Sequence, residues 1–350
     1  MKEKKSSEVL YRKYRPQSFK EALGQEHITS VLQGAIKEGN IAHAYLFSGS
    51  RGIGKTTFAR ILAHEIGCSD KDLYEIDAAS NRGIDDIREL RDAVHVLPFE
   101  SPYKVYIIDE AHMLTKEAFN ALLKTLEEPP AHAIFILATT EAHKVPETIL
   151  SRCETHTFRQ PNQKVLHDMA LSVAKSEGYD LEPSAASLIA TIGNGSFRDM
   201  LGTLQKVLSG AKKGAVSLED VERITSAPTS ALVNDFLNAL ADSSLPDALS
   251  VVEQAVAGNL DIKTFLSLIL SKARAALLLK HGGTNEKGLG EHFSEDDVVF
   301  IVALSKSESM SLEALAVLLE AYNETPRSYI PQLPLELALM RLLGDIDNSK

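Results

Sequence analysis

The chain has 350 residues, of which 44 % are hydrophobic and 24 % are charged. This length and composition exclude disorder as the main state and provide for two or three domains of about 100–200 residues each. The net charge of −11 argues against a protein that simply coats nucleic acid by electrostatic attraction. Only two cysteines occur, Cys68 and Cys153, which argues against a disulfide framework and against a cysteine-rich zinc site.

No segment reads as a targeting or membrane signal. The basic residues at the start lack an apolar core and a cleavage site, so we expect a frayed tail. The most apolar later stretch, residues 265–279, is interrupted by Lys272 and Arg274, short of the ~20 residues that a membrane span needs. We therefore expect a cytoplasmic protein with no membrane partner. Its acidity is concentrated in residues 227–350, which hold 17 acidic and 9 basic side chains.

The first 161 residues alternate strand-like runs with helical patterns. Apolar runs at residues 45–47, 104–108 and 133–138 are strand candidates, and a helical run covers residues 56–66. Continuous apolar strands separated by helices are typical of a parallel sheet that is covered on both faces. The sequence therefore predicts an α/β parallel-sheet domain over residues 1–161.

Strand signals stop after residue 161, and helical patterns take over. Helices are predicted over residues 163–177, from Pro183 and from Phe197, which together make a small helical domain over residues 162–226. Further helices follow, with apolar faces in residues 248–256 and 312–322. We expect them to form a third, all-α domain over residues 227–345.

A phosphate-loop motif follows the first predicted strand. Residues 49–56 fit the pattern G-x-x-x-x-G-K-S/T and lie between a strand and a helix, as the motif requires. Its glycines let successive N–H groups face one point, Lys55 reaches the β- and γ-phosphates, and Thr56 offers a hydroxyl to Mg²⁺. The alternative is a glycine-rich turn with an incidental lysine, which both flanks disfavour. The predicted nucleotide-binding residues here are Gly49, Ser50, Arg51, Gly52, Ile53, Gly54, Lys55, Thr56 and Thr57.

Two acids end the second predicted strand. Asp109 and Glu110 come at its carboxyl end, where open α/β sheets bind their ligands. Phosphoanhydride hydrolysis needs a carboxylate for Mg²⁺ and a base for water, so we predict Asp109 in the first role and Glu110 in the second. A solvated strand end is the alternative. Residues 109–112 also spell the DEAH box of one helicase superfamily, but such helicases need a second nucleotide-binding core domain, and only helices follow here.

Four further polar residues are candidates for contact with the nucleotide. Thr139 and Thr140 lie beyond the third predicted strand, where a polar side chain could sense the γ-phosphate. Arg152 and Arg198 could meet developing negative charge on the phosphates, one within the chain and one across a subunit boundary. The alternative for each arginine is a surface residue in a weak ion pair.

Together these residues resemble the gamma/tau subunits of the bacterial DNA polymerase III clamp loader, which are AAA+ ATPases. The dense match covers residues 9–204, and the last 120 or so residues resemble the family's collar domain mainly in length, helical character and the ending PQLPLELA. The motifs that carry the resemblance are VLYRKYRP (residues 9–16), GQEH (24–27), the phosphate loop, EIDAASNRG (75–83), DEAH (109–112), LLKTLEEPP (122–130), ATT (138–140) and SRC (151–153).

The resemblance implies a role for each candidate residue. Lys55 and Thr56 would bind ATP and Mg²⁺, and Asp109 and Glu110 would be the Walker B pair. The other roles are Thr140 as sensor 1, Arg198 as sensor 2 acting in cis from the lid, Arg152 as the arginine finger of the adjacent subunit's ATP site, and Gln25 with residues 11–16 as contacts on the base side of the nucleotide.

The resemblance also implies the architecture and the partners. A P-loop (AAA+) domain would be followed by a helical lid and an all-α collar. The subunit would assemble with delta and delta-prime subunits and with further copies of itself, open the beta sliding clamp, and release it on primed DNA within the nucleoid-associated replisome. Two alternatives stay open: a replication factor C-type small subunit, and a non-catalytic scaffold subunit like delta-prime.

The chain departs from the family pattern in two places. Family members usually carry a four-cysteine zinc module between the phosphate-loop helix and the EIDAAS segment, whereas residues 66–74 cross this gap with Cys68 alone. We therefore predict no zinc site. The chain also ends at Lys350 without the long extension of the tau form, so it resembles the shorter gamma form, and we expect no contact with the replicative helicase or the polymerase.

Three arginines near the start of one predicted helix are candidates for contact with DNA. Arg82 precedes the helix that begins near Ile84, and Arg88 and Arg91 lie on its next turns. A helix N-terminus with basic side chains suits backbone phosphates. The alternative is that the four acidic residues of the same helix pair with these arginines on a solvated face.

Overall fold

The computed structural model describes residues 8–81, 83–212, 214–290, 293–307 and 310–344. These residues divide into two compact units. The first comprises residues up to 165 together with 195–199, and the second comprises 166–194 and the residues from 200 onwards. The domain boundaries expected at residues 161 and 226 stay predictions.

A five-stranded parallel sheet forms the centre of the first unit, which confirms the predicted α/β fold. Its strands are β1 (Ala44–Ser48), β2 (Leu73–Asp77), β3 (Lys104–Asp109), β4 (Ala133–Thr139) and β5 (Glu154–Thr157). The strand order is β2-β3-β4-β1-β5. The three strands predicted from apolar runs are the three central ones, and every residue of β1 and β4 is buried. Strands β2 and β5 are the edges and are largely exposed, so they lack the apolar signal.

Helices cover both faces of this sheet. They are α1 (Leu10–Lys13), α2 (Glu26–Glu38), α3 (Lys55–Glu65), α4 (Ile84–Val94), α5 (Lys116–Glu127) and α6 (Glu147–Leu150), with short 3-10 turns at Ala111–Met113 and Ala142–Lys144. On one face Phe135 and Leu137 of β4 pack in a core with α4 and α5. On the other face Ile134 and Ile136 pack in a core with α2 and α3. The alternation of side chains along the strand thus builds two apolar layers.

The short segment that follows α3 is tied to the loop before β3. The carboxylate of Asp72, which is 1 % exposed, accepts hydrogen bonds from the backbone N–H groups of Phe99, Glu100 and Ser101 at 2.6, 3.0 and 2.9 Å. The Lys71 ammonium pairs with the Glu100 carboxylate at 2.7 Å. This is the segment that crosses the gap where the resemblance places a zinc module, and in this chain hydrogen bonds hold it.

The second unit is almost entirely helical. Its helices are α7 (Gln163–Ser176), α8 (Pro183–Ile192), α9 (Phe197–Gly210), α10 (Leu218–Thr225), α11 (Ser230–Ala241), α12 (Leu245–Ala257), α13 (Ile262–Lys280), α14 (Glu286–Leu289), α15 (Glu295–Leu304), α16 (Leu312–Glu324) and α17 (Leu333–Leu343). The first three residues of α7 and of α9 belong to the first unit. The predicted helix starts at Gln163, Pro183 and Phe197 are confirmed. The sequence missed β6 (Asp180–Leu181) and β7 (Ala215–Val216), which form a two-residue parallel pair too short to carry a periodic signal.

A buried polar cluster joins three helices of this unit. The Lys272 ammonium donates to Asp297 Oδ1 at 2.6 Å, to Asn234 Oδ1 at 2.7 Å and to Ser230 Oγ at 2.7 Å. The side chains of Lys272 and Asp297 are 6 % and 10 % exposed. These contacts connect α11, α13 and α15 around one charge.

Among the described residues, no helix has the length and apolar character needed to cross a membrane.

Candidate nucleotide-binding site

The predicted site residues of the first unit come together because of the strand order. Strands β3, β4 and β1 are adjacent and parallel, so their carboxyl ends lie along one edge of the sheet. The phosphate loop follows β1, Asp109 and Glu110 stand at the end of β3, and Thr140 follows β4. Ligands of open α/β sheets bind at this kind of edge.

The phosphate loop holds its lysine inward. Lys55, at the start of α3, is 6 % exposed, and its ammonium donates hydrogen bonds to the carbonyl oxygens of Gly49 and Ser50, each at 2.7 Å. Burial lowers the pKa of Lys55, while the nearby carboxylates of Glu110 and Asp109 act to raise it. The Ser50 hydroxyl in turn accepts a hydrogen bond from Gln160 Nε2 at 3.2 Å. A cation is therefore fixed within the loop that would receive phosphates.

The loop makes close contact with the segment 195–199. Gly52 has a φ of +74°, and a Cβ built on it would lie 2.1 Å from the Ser196 hydroxyl oxygen. Glycine suits this position, because the left-handed φ strains residues that carry a side chain and a Cβ would force the Ser196 hydroxyl to move. The carbonyl of Gly52 accepts a hydrogen bond from the Phe197 N–H at 3.0 Å. The following residue, Arg198, has its guanidinium carbon 5.8 Å from the centre of the Tyr11 ring.

Thr56 and Asp109 bring two oxygens to one place. The Thr56 hydroxyl donates to Asp109 Oδ2 at 2.7 Å, and Asp109 Oδ1 accepts from the Glu110 N–H at 3.0 Å. A hydroxyl and a carboxylate are hard oxygen donors of the kind that Mg²⁺ prefers, and Mg²⁺ in nucleotide sites takes one or two protein ligands besides phosphates and water. The residues present therefore fit a magnesium ion.

Glu110 is held by its backbone and by Thr140. It adopts a left-handed conformation with φ of +49°, which is uncommon for a residue with a side chain. The Thr140 hydroxyl donates to Glu110 Oε2 at 3.1 Å. Backbone outliers of this kind concentrate at functional sites, where the surrounding contacts maintain them. The carboxylate thus lies beside the predicted γ-phosphate sensor.

Arg152 and Gln25, two of the predicted site residues, make their hydrogen bonds with other parts of the chain. The Arg152 guanidinium donates to the carbonyl of Thr148 at 2.7 Å and to Glu127 Oε1 at 2.6 Å, so residues of its own chain hold it in place. Gln25 is 1 % exposed, and its amide exchanges hydrogen bonds with the backbone of Arg159, at 2.6 Å from Nε2 and 3.1 Å to Oε1. Both polar atoms of Gln25 are therefore engaged with the chain that follows β5.

The candidate DNA-binding arginines on α4 have acidic neighbours. Arg88 pairs with Asp85 at 3.1 Å and Arg91 pairs with Asp92 at 2.8 Å, on exposed side chains. Arg82 lies outside the described residues. The ion-pair alternative raised for this helix therefore describes the local contacts, and a role in DNA binding stays a prediction.

The two cysteines lie in apolar surroundings. Burial raises the pKa of Cys68 to about 11 and that of Cys153 to about 12. Metal ligation needs the thiolate form, which such environments disfavour. Among the described residues, no group of three or more His, Cys, Asp or Glu side chains is arranged to hold a metal. The absence of zinc stays a prediction for a metal assay.

Sequence reasoning gave His112 no role and named Thr139 only together with Thr140, as a possible contact of the γ-phosphate. Thr139 is fully buried, and its hydroxyl lies 3.0 Å from His112 Nδ1 while it accepts the Glu141 N–H at 3.0 Å. The DEAH pattern of residues 109–112 contains His112 but assigns it no role of its own. Nothing in the spacing shows that its ring turns back towards β4.

The five-stranded parallel sheet and the phosphate loop at its strand ends define a P-loop fold of the AAA+ type. The structure of the Thermotoga maritima RuvB Holliday junction branch migration motor is similar in fold, with a TM-score of 0.53 at 21 % identity over 65 % of this chain and 79 % of that one. A family model described as DNA polymerase III, delta subunit, matches residues 24–82 and 69–162.

Known relatives narrow this class. DNA polymerase III subunit tau of Bacillus subtilis is 36 % identical over 96 % of this chain and 63 % of its own length. Subunit gamma/tau of Mycobacterium tuberculosis is 39 % identical over 78 % of this chain and 51 % of its own length. Subunit tau of Escherichia coli is 38 % identical over 75 % of this chain and 44 % of its own length. The chain is a homologue of the DNA polymerase III gamma/tau subunits. It spans between about two fifths and three fifths of the length of these relatives.

Proposed function

We propose that this protein binds ATP with Mg²⁺ and hydrolyses it as a motor subunit of a clamp loader, which places a sliding clamp on primed DNA. The observation that carries this proposal is the meeting of Thr56 with Asp109 and of Thr140 with Glu110 beside the phosphate loop, at 2.7 and 3.1 Å. The names of the relatives supply the biological context and favour this function over a replication factor C-type subunit.

Each site residue has a distinct task in this proposal. The loop residues from Gly49 to Thr57 would cradle the phosphates, with the Lys55 ammonium moving from the loop carbonyls to the β- and γ-phosphates. Thr56 and Asp109 would hold the magnesium ion, whose charge offsets the negative charge of the phosphates. Glu110 would take the proton from the attacking water, and Thr140 would keep its carboxylate directed towards the γ-phosphate.

Two arginines would neutralise the developing charge from opposite sides. Arg198, which follows the contact of Phe197 with Gly52, would act on the nucleotide of its own chain. Arg152 would act as the arginine finger for the neighbouring subunit, since its own chain holds it against Glu127. Gln25 would support the base side of the nucleotide through the backbone of Arg159, to which its amide is bonded.

The partners and the domain limits belong to the same proposal. The nucleotide domain would end near residue 161, the lid near 226 and the collar near 345. The chain would assemble with delta and delta-prime subunits and with copies of itself, bind the beta sliding clamp, and contact primed DNA through Arg82, Arg88 and Arg91. We expect it in the cytoplasm, at the replisome. The acidic last third does not oppose a DNA partner, because residues 227–350 would mainly contact other subunits.

The proposal is tested by the ATPase rate of the assembled complex with the sliding clamp and primed DNA. We expect stimulated hydrolysis from the wild type and a loss of at least about 100-fold with Lys55→Ala, because the loop then lacks its phosphate-binding cation. Lys37→Ala is the matched control, since Lys37 is exposed on α2, outside the site. A stimulated rate that survives Lys55→Ala would contradict the catalytic assignment and favour a scaffold subunit.

Arg152→Ala separates action in trans from action in cis. The isolated variant should bind ATP with unchanged affinity, because Arg152 contacts Thr148, Ser151 and Glu127 in its own chain. The assembled variant should hydrolyse ATP about 1,000-fold more slowly, the usual order for an arginine finger. Full-rate hydrolysis by the isolated wild-type chain would contradict the role in trans.

A further inference from the structure

Two side-chain bridges join the loops that leave β3 and β4. One is the hydrogen bond from the Thr140 hydroxyl to Glu110 Oε2, at 3.1 Å. The other is the contact of His112 Nδ1 with the Thr139 hydroxyl, at 3.0 Å. The same Nδ1 lies 3.5 Å from Glu110 Oε2. Because the two strands are adjacent and parallel, these bridges lie side by side at the edge of the sheet.

We propose that His112 is a positioning residue for Glu110, which it acts on through Thr139 and by its own approach to the carboxylate. The inference rests on the proposed function, in which Glu110 is the general base. His112 would hold the turn after β3 against the end of β4, so that Glu110 keeps its left-handed backbone and its contact with Thr140.

The geometry gives the imidazole few other tasks. Its side chain is 8 % exposed, so it is shielded from solvent. It starts no helix and caps none, and its δ nitrogen faces the hydroxyl and the carboxylate rather than a backbone group. Thr139 is fixed in turn, because its hydroxyl also accepts the Glu141 N–H at 3.0 Å. A side chain anchored on a strand end in this way can transmit a fixed position to the neighbouring carboxylate.

Misplacement of a catalytic group by about 1 Å costs on the order of 100-fold in rate. Loss of the imidazole removes the bridge to Thr139 and leaves Glu110 with Thr140 as its hydrogen-bond partner. We therefore expect His112→Ala to lower kcat by about 10- to 100-fold, with the affinity for ATP changed less than about twofold. The affinity is spared because neither His112 nor Thr139 belongs to the phosphate loop.

The test is a comparison of kcat, KM and ATP affinity in the assembled, clamp- and DNA-stimulated complex. His112→Asn should recover most of the rate, because an asparagine amide can occupy the place of Nδ1. Thr139→Val keeps the volume and removes the hydroxyl, so it should lower kcat in the same way and provides a second variant if His112→Ala fails to fold. His156→Ala is the matched control: the side chain of His156 is equally shielded, at 8 % exposure, but it lies on the edge strand β5 beside Glu154.

The outcomes separate this inference from the proposed function. A kcat of His112→Ala and Thr139→Val equal to that of His156→Ala would overturn the positioning role. A loss of ATP affinity as large as the loss of kcat would also overturn it, since it would reveal a general structural role. A wild-type complex without ATPase activity, or one insensitive to Lys55→Ala, would instead refute the proposed function.

Discussion

The carboxylate of Asp72 offers a quantitative test of how the first compact unit is held together. It accepts three backbone N–H bonds from residues 99–101 while almost fully buried. In Asp72→Asn the side chain keeps one acceptor oxygen, and its NH₂ group must face at least one of the three N–H donors. Unpaired buried donors cost about 1–3 kcal/mol each, and charge-assisted bonds are worth more than neutral ones. We expect a loss of about 2–4 kcal/mol in local stability.

Hydrogen exchange at the amides of residues 99–101 is the direct assay, because it reports the local opening free energy without assuming that the whole chain unfolds in one step. Asp72→Asn should accelerate exchange at these amides by about 30-fold or more. Asp70→Asn is the control, since the Asp70 side chain is 91 % exposed and should change exchange very little. Equal exchange in the two variants would refute the anchoring role of Asp72.

The same carboxylate predicts the direction of a pH effect. Burial opposes ionisation of Asp72, but hydrogen bonds from Glu100, Phe99 and Ser101 outweigh it and lower the pKa from 3.8 to about 2. Because the folded pKa lies below the unfolded one, the unfolded chain takes up a proton first as the pH falls. The stabilisation is therefore complete above about pH 4 and is lost towards pH 2. The stability difference between wild type and Asp72→Asn should shrink over this range, and a constant difference would contradict the account.

Two further predictions concern the phosphate loop and the second unit. Gly52→Ala strains the left-handed backbone by about 1–2 kcal/mol and places a Cβ against Ser196. Calorimetry should therefore show that the affinity for ATP falls at least about tenfold. Gly34→Ala is the control and should leave the affinity unchanged, because the space around its Cβ on α2 is open. Lys272→Met strands a buried Asp297 and should lower the urea-measured stability by about 3–5 kcal/mol, whereas the double variant with Asp297→Leu should recover part of that loss.

Much of the fold could be predicted because buried strands appear in the sequence as apolar runs. The central strands β1, β3 and β4 are continuous apolar runs, since each has neighbours on both sides and a covered face above and below. The edge strands β2 and β5 were not predicted because most of their residues are exposed and they contain no continuous apolar run. The pair β6–β7 is two residues long, which is too short for any pattern to form.

The candidate site, like the fold, could be predicted from the sequence only in part. The phosphate loop, Asp109 and Glu110 were predicted because their motifs are local and follow strands. Other features of the site depend on residues that only folding brings together. They are the left-handed backbone of Glu110, the contact of His112 with Thr139, and the ion pair of Arg152 with Glu127. Glu127 lies 25 positions from Arg152 and on a different element, so no spacing rule connects them.

The most direct test of the central claim is the loading of a labelled sliding clamp onto primed circular DNA by the assembled complex. The wild-type complex should hydrolyse ATP and leave clamps on the DNA after the loader dissociates. The complex with Glu110→Gln should bind ATP, clamp and DNA but leave no clamps on the DNA after the loader dissociates, because the variant lacks the carboxylate that we propose as the general base. Loading at the wild-type rate by the Glu110→Gln complex, or ATP-independent loading by the wild type, would contradict the proposed function.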